Sequence, residues 1–256
     1  MMRFMSYNIL TGGHGELGDR SDKVIEVIRR ESPEIIALCE CNDFLTDGEA
    51  RLAWFKRQLD MEGVLVEATT GFHVGLFWAS GIEVKESQTT SSSMFHGLVR
   101  LKALVGSKVP VTIVAAHLHP FSSILRMAEA QVVVGKAADA ESSIVMGDFN
   151  SLSAHDGISE EERLESRLLD SGLHPDTGVI DLLERAGFKD ALIECRTAKA
   201  TTPTRVALKQ TLPVRIDYLL AKGPIAGGLT SATVIDTELA HQASDHLPVV
   251  ADFDVT

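Results

Sequence analysis

The chain has 256 residues, 45% of them hydrophobic and 23% charged, with no Pro/Gly/Ser-rich linker, which suits a single domain over 1–256. Its 24 basic and 36 acidic residues give a formal charge of −12, which argues against a protein that tracks long nucleic acid, where phosphate neutralisation dominates affinity. No apolar run nears the ~18 residues that span a bilayer, the amino terminus lacks a leader's apolar core, and three cysteines are too few for a disulfide framework, so a cytoplasmic monomer is expected.

Phe4 to Ile9 reads as a strand. Val24, Ile25, Val27 and Ile28 mark a helix face, with Ser21 or Asp22 as N-cap, and Pro33 forbids its continuation. Ile35 to Cys39 is a buried strand ending at Glu40, with Cys39 and Cys41 flanking the acid as reduced, buried thiols. Arg51 to Leu59 reads as helix. Val64 to Glu67, Val74 to Trp78 and Ile82 to Lys85 read as strands of a meander, and the polar stretch Ser87 to Ser93 as a surface loop. Leu98 to Val105 and Val111 to Ala116 follow as a pair. Ile124 to Lys136 is a helix whose expected buried face carries Ile124, Leu125, Ala128 and Val132. After the strand Ile144 to Met146 come a surface helix in Ser159 to Leu169, a helix over Val179 to Ala186 stopped by Gly187, and strands Val214 to Leu220 and Val249 to Phe253. Many short strands with interleaved helices fit an α/β (α+β) sandwich of two packed sheets with helices outside.

The polar residues fall at the ends of these strands. Asn8 ends the first, Glu40 the second, and His117 the run from Val111; Asp148 and Asn150 follow Ile144 to Met146. Asp217 sits within the Val214 strand, and Asp245 and His246 precede the last one. Loops on a rigid scaffold are where chemistry concentrates. From Arg196 to Ile216 there are five basic residues and no acid, either a solvated loop and hairpin or a phosphate-facing surface.

Six segments stand in order: Ser6-Tyr7-Asn8, Leu38-Cys39-Glu40, Ala116-His117-Leu118-His119, Gly147-Asp148-Phe149-Asn150, Arg215-Ile216-Asp217-Tyr218 and Ser244-Asp245-His246-Leu247-Pro248. With them the chain resembles the endonuclease/exonuclease/phosphatase superfamily, whose deoxyribonuclease-I-like fold is a four-layer sandwich of two mixed sheets flanked by helices. The resemblance implies a hydrolase using one or two Mg²⁺ or Mn²⁺ ions, with Glu40, Asp245, Asn8, Asp148 and Asn150 as its metal residues. It implies that Asp148 activates water, that Asn8 and Asn150 position it, and that His246, held by Asp217, contacts a phosphoryl oxygen. His117 would lie close to the scissile phosphate.

His119, Arg100, Arg205 and Arg215 are candidate substrate contacts. Phe121 is read as lining the site, and Trp54, Trp78 and Phe95 as core. Leu10 stands where some DNA-repair members have an acid, and Pro213-Val214 where abasic-site nucleases have a tryptophan, so both positions lower the expectation of abasic-site repair. The expected activity is water-driven hydrolysis of a phosphodiester or phosphomonoester. A DNA or RNA nuclease of the same fold is the second reading and an inactive binding module the third. Specificity is expected in Gly12 to Asp19, Thr69 to His73, Ser87 to Gly97 and Ala154 to Asp176.

Overall fold

Strand ends decide where this molecule can do chemistry, and the sheet registers show which ends meet. The computed structural model describes residues 1–159, 161–162, 176–207 and 212–255. One sheet holds β1 (Met2–Asn8), β2 (Ile35–Cys39), β3 (Met61–Val66), β4 (Val74–Ala79), β11 (Leu229–Val234) and β12 (Val249–Phe253), in the order β11-β12-β1-β2-β4-β3. The other holds β5 (Glu83–Thr90), β6 (Leu98–Val105), β7 (Val109–His117), β8 (Ser143–Asp148), β9 (Lys189–Asp190) and β10 (Asp217–Lys222), in the order β5-β6-β7-β8-β10-β9.

Each sheet has one parallel pair at its centre. Helix α1 (Ser21–Glu31) connects β1 to β2, and α3 (Ser123–Ala137) connects β7 to β8, because parallel neighbours need a crossover. Parallel pairing aligns carboxyl ends. Asn8 therefore lies opposite Cys39, one residue before Glu40, and His117 lies opposite Asp148. The antiparallel strands bring their amino ends to the same edge: Asp217 opens β10 opposite Asp148, and β12 begins three residues after His246 and pairs Val249 with Ser6.

Side-chain alternation builds the layers. Ile113 and Ala115 of β7, Ile144 and Met146 of β8, and Leu219 and Ala221 of β10 join the core shared with the first sheet. Their neighbours Val114, Ala116, Val145, Tyr218 and Leu220 pack outward, against Ala130 and Val133 of α3 and Val179 and Leu183 of α4 (Gly178–Arg185). Helices α1 and α2 (Ala50–Leu59) pack with the first sheet's core. The result is the expected four layers, two mixed sheets flanked by helices.

Several local expectations change. The meander breaks after β4: β3 and β4 stay in the first sheet, whereas β5 pairs with β6 in the second. Ser87 to Thr90 belong to β5, an exposed polar edge strand, rather than to a loop. The buried side of α3 is Arg126, Glu129, Ala130, Val133 and Ala137, while Ile124 and Leu125 face solvent. Two charged residues on that buried side disguise its periodicity. Arg20, instead of Ser21 or Asp22, stands at the N-cap of α1 and makes no side-chain capping bond; the preceding Asp19 Oδ1 accepts from the Ser21 N–H at 2.9 Å. Val214 makes only an isolated bridge to Thr202, so the regular strand starts at Asp217. Most of the Ser159 to Leu169 stretch, much of the Ala154 to Asp176 segment, and Lys209 lie outside the described residues.

Candidate active site

Gly147 makes the approach of β8 to β7 possible. Its φ is +143°, and a Cβ there would sit 1.8 Å from the Ala116 carbonyl oxygen, so no other residue fits. Asp148 then lies level with His117 on one side and Asp217 on the other. All three share the alternation parity of residues facing the other sheet. Glu40 and Asn150 follow their strands in the left-handed region, at φ +61° and +49°, as do Leu10 and Thr11 at +49° and +51°. Non-glycine residues rarely adopt this conformation, and such strain concentrates at functional sites.

The two sheets meet through hydrogen bonds. Asn8 Nδ2 donates to Glu40 Oε1 at 3.0 Å and to Asp148 Oδ2 at 3.1 Å, while its Oδ1 accepts from the Leu10 N–H. Glu40 Oε2 accepts from the Thr11 N–H at 2.9 Å. Asp148 Oδ1 accepts from the Asn150 N–H at 2.9 Å, and Asn150 Nδ2 donates to the Leu118 carbonyl. His246 Nδ1 lies 2.7 Å from Asp217 Oδ2 and 3.9 Å from Asp148 Oδ2, and His117 Nε2 lies 3.6 Å from the same Asp148 oxygen. Ser244 Oγ donates to the Asn8 carbonyl at 2.7 Å and accepts from the His246 N–H, tying the last motif to the first.

Burial sets the protonation states. It pushes Asp148 up to about 7, with the charge of Asp217 adding to the effect and His246, the Asn150 N–H and Asn8 opposing it. Burial works against a charged His246, but Asp217, Asp245 and Asp148 outweigh it and hold the imidazole well above its ordinary range. His117 is driven well below that range by burial, then by His96 and His246. Burial and the neighbouring Asp245 raise Glu40.

Two donor sets are candidates for a cation. Asp148, Asp217 and His246 offer ligand atoms within 4.8 Å of one another. Asp217 and His246 already share a hydrogen bond there, and one donor is nitrogen. Glu40 and Asp245 are oxygen donors whose charges repel, and they suit a hard divalent ion better. The Asn8 Nδ2 bridges Glu40 and Asp148, and its Oδ1 accepts one N–H, that of Leu10.

The site opens into a cleft of about 320 Å³, lined by acids and amide from the motifs and, on its far side, by Thr70, Phe72, Phe95, His96, Pro120 and Phe121. Phe95 is thus a cleft residue, not core, whereas half-buried Trp54 and Trp78 do pack against the core. His119 serves the loop: its Nδ1 accepts from the Phe121 and Ser122 N–H groups.

The three arginines do not come to the cleft. Arg100 binds Asp139 and the Lys136 carbonyl beside α3. Arg205 pairs with Glu238 in solvent. Arg215 is buried between Asp156 and Asp190, with its guanidinium 4.5 Å from the Tyr218 ring centroid. With Lys199 on Asp236 as well, the basic segment is largely ion-paired locally. Thr70 and His96 fall within Thr69 to His73 and Ser87 to Gly97, two of the segments expected to carry specificity, and Ser244 opens the Ser-Asp-His-Leu-Pro motif, but no sequence pattern singles out any of the three as a site residue. His96 becomes visible only through the β6–β7 register, in which Leu98 opposite Ala116 places it near His117.

These motifs and this geometry define a known class. The family model described as Endonuclease/Exonuclease/phosphatase family matches residues 5–246, and the chain belongs to that family. Solved structures agree in fold. An endonuclease/exonuclease/phosphatase from Bacteroides vulgatus is 16% identical with a TM-score of 0.74, covering 100% of this chain and 99% of its own. An AP endonuclease from Archaeoglobus fulgidus is 18% identical with a TM-score of 0.73, covering 100% of both chains. Truncated Caenorhabditis elegans TDP2 is 19% identical with a TM-score of 0.69, covering 98% of this chain and 97% of its own. No curated protein matches the sequence. No helix among the described residues is long and apolar enough to cross a membrane.

Proposed function

We propose that the chain is a divalent-metal-dependent phosphoesterase that hydrolyses a phosphodiester or phosphomonoester by in-line attack of water. The observation that carries this reading is the meeting of Asp148 with Asn8 and Glu40 on one side and with the Asp217–His246 pair on the other. Asp148, raised to about 7, is suited to accept a proton from water near neutral pH. Asn8 fixes its Oδ2 and the Asn150 N–H fixes its Oδ1, so the carboxylate cannot rotate away.

Asp217 holds His246 through Nδ1, which leaves Nε2–H to donate to a phosphoryl oxygen where negative charge grows. Neutral His117 lies beside Asp148 and can donate or accept without adding charge. Glu40 and Asp245 would hold Mg²⁺ or Mn²⁺, with Asp148 and Asn150 next to it. When bound, the ion supplies Lewis-acid stabilisation of the phosphoryl oxygens.

A nuclease is the second reading, favoured by the fold's likeness to the AP endonuclease from Archaeoglobus fulgidus. It ranks lower because Arg100, Arg205 and Arg215 are engaged away from the cleft. The test is hydrolysis of bis-p-nitrophenyl phosphate, p-nitrophenyl phosphate and oligonucleotides with Mg²⁺, with Mn²⁺ and with chelator, using His246→Ala as the blank. Turnover of a small ester that needs the ion and His246 supports the reading. Turnover of oligonucleotides alone selects the nuclease. Absence of turnover on every substrate refutes both.

A further inference from the structure

Part of the cleft lining is a continuous array of aromatic rings. The His96 ring stacks on His117 with centroids 4.2 Å apart, and Phe95 meets His96 edge-on at 4.6 Å. Phe95 then packs on His119 at 4.3 Å and reaches Phe121 at 6.4 Å, while Phe72 closes on His96 at 5.5 Å. The array begins one ring away from the imidazole that lies 3.6 Å from Asp148 and ends at the cleft mouth.

The wall is held in place. Glu129 of α3 accepts from the Phe95 N–H and the His119 N–H, both at 2.6 Å, and so clamps the two loops that carry the rings. Arg126 donates to the His119 and Pro120 carbonyls from the same helix. His96 is part of the same surface. The Phe72 N–H donates to Thr70 Oγ1, so the Thr70 hydroxyl is free to donate to His96 Nδ1, 2.8 Å away. Burial, with His119 nearby, pushes His96 down to about 4, so at neutral pH it is uncharged.

Phe121 lines the cleft and is 60% exposed, an apolar ring open to solvent. No lysine or arginine is among the described residues that line the cleft.

We propose that Phe72, Phe95, His96 and Phe121 form a subsite for a flat aromatic group carried on the scissile phosphate. Burial of the ring together with ring-on-ring contact favours such a group over a methyl group. The subsite rests on the phosphoesterase reading for the position of the phosphate. The same ring chemistry has two sources, an aryl ester or the base of a nucleotide.

The test is calorimetric binding of methylphosphonate, phenylphosphonate and thymidine 5′-phosphate to the full chain with Mg²⁺, which needs no turnover. Phenylphosphonate is expected to bind at least about tenfold tighter than methylphosphonate. Phe95→Leu and Phe121→Leu should each reduce that ratio severalfold, read within each variant so that changes common to all ligands cancel. Ile124→Ser, outside the ring array, should keep it. A preference for thymidine 5′-phosphate that is lost in the same two variants supports the subsite with a nucleotide source.

Equal binding of all three ligands by the parent overturns the proposal. So does loss of the preference in Ile124→Ser to the same degree, which would reveal a general apolar surface. A chain that prefers phenylphosphonate but hydrolyses no ester keeps the subsite and refutes the activity. A chain that hydrolyses esters without discriminating does the reverse.

Discussion

The two sides of the cleft are built by opposite means. On one side, Asn8, Glu40, Asp148, Asp217 and His246 sit at or next to the ends of five strands in two sheets, placed by backbone register and joined as two hydrogen-bonded groups, Asn8 with Glu40 and Asp148 and Asp217 with His246, that meet where His246 Nδ1 lies 3.9 Å from Asp148. On the other, Phe72, Phe95, His96 and Phe121 stand on loops, and helix α3 holds the loops that carry Phe95 and Phe121 through Glu129 and Arg126. Under the proposed phosphoesterase reading, the polar side would carry chemistry common to many phosphoesters and the aromatic side would select among them, so substitutions on the two sides should have separable effects.

The sharpest break should come from Asp148→Ala. Proton transfer by one positioned group typically contributes ~10²–10⁴-fold, so turnover should fall by at least that much while urea unfolding stays cooperative. Turnover close to that of the parent would remove Asp148 from the mechanism.

Arg215 tests whether a basic residue in a motif belongs to the site or to the scaffold. Arg215→Ala leaves Asp190 buried without its partner and should cost about 3–5 kcal/mol in urea unfolding. The remaining folded protein should keep its KM. A raised KM with unchanged stability would instead restore Arg215 as a substrate contact. Arg205→Ala, at a solvent-exposed pair, should change neither quantity measurably.

The aromatic side makes its own prediction through pH. His96 is held neutral in the fold at about 4, against about 6.5 when unfolded. The unfolded chain therefore takes up its proton first as pH falls. The stability associated with neutral His96 is complete above about pH 6.5 and is lost as pH falls through about 4. His96→Gln should flatten that part of the stability–pH curve by on the order of 3 kcal/mol. A curve that keeps the parent's slope would show that His96 is solvated.

Much of the polar side is legible in the amino-acid sequence. Gly147-Asp148-Phe149-Asn150 follows an apolar run, and Asp245-His246 precedes one, so their places at strand ends follow from short-range pattern. The pairings behind them can be anticipated only in outline, yet the residues converge because parallel strands align their carboxyl ends and antiparallel ones bring amino ends to the same edge. The arginines mislead because charge in sequence does not say which acid lies nearby. Asp190 and Asp156 are 25 and 59 residues from Arg215. The buried face of α3 is hard to place for a related reason. Arg126 and Glu129 are buried because loop carbonyls and N–H groups need them, and a hydrophobic pattern counts them as solvent-facing.

The sequence by itself therefore determined the layered α/β fold, the strand ends that carry the polar motifs, and the family. Those depend on alternation and on short motifs, which act over a few residues. Only the tertiary structure decided that Asn8 bridges Glu40 to Asp148, that Arg215 is a buried strut, and that Phe72, Phe95, His96 and Phe121 form one wall. These are contacts between residues far apart in the chain, and a ring or a guanidinium has no local signature of the partner it will meet.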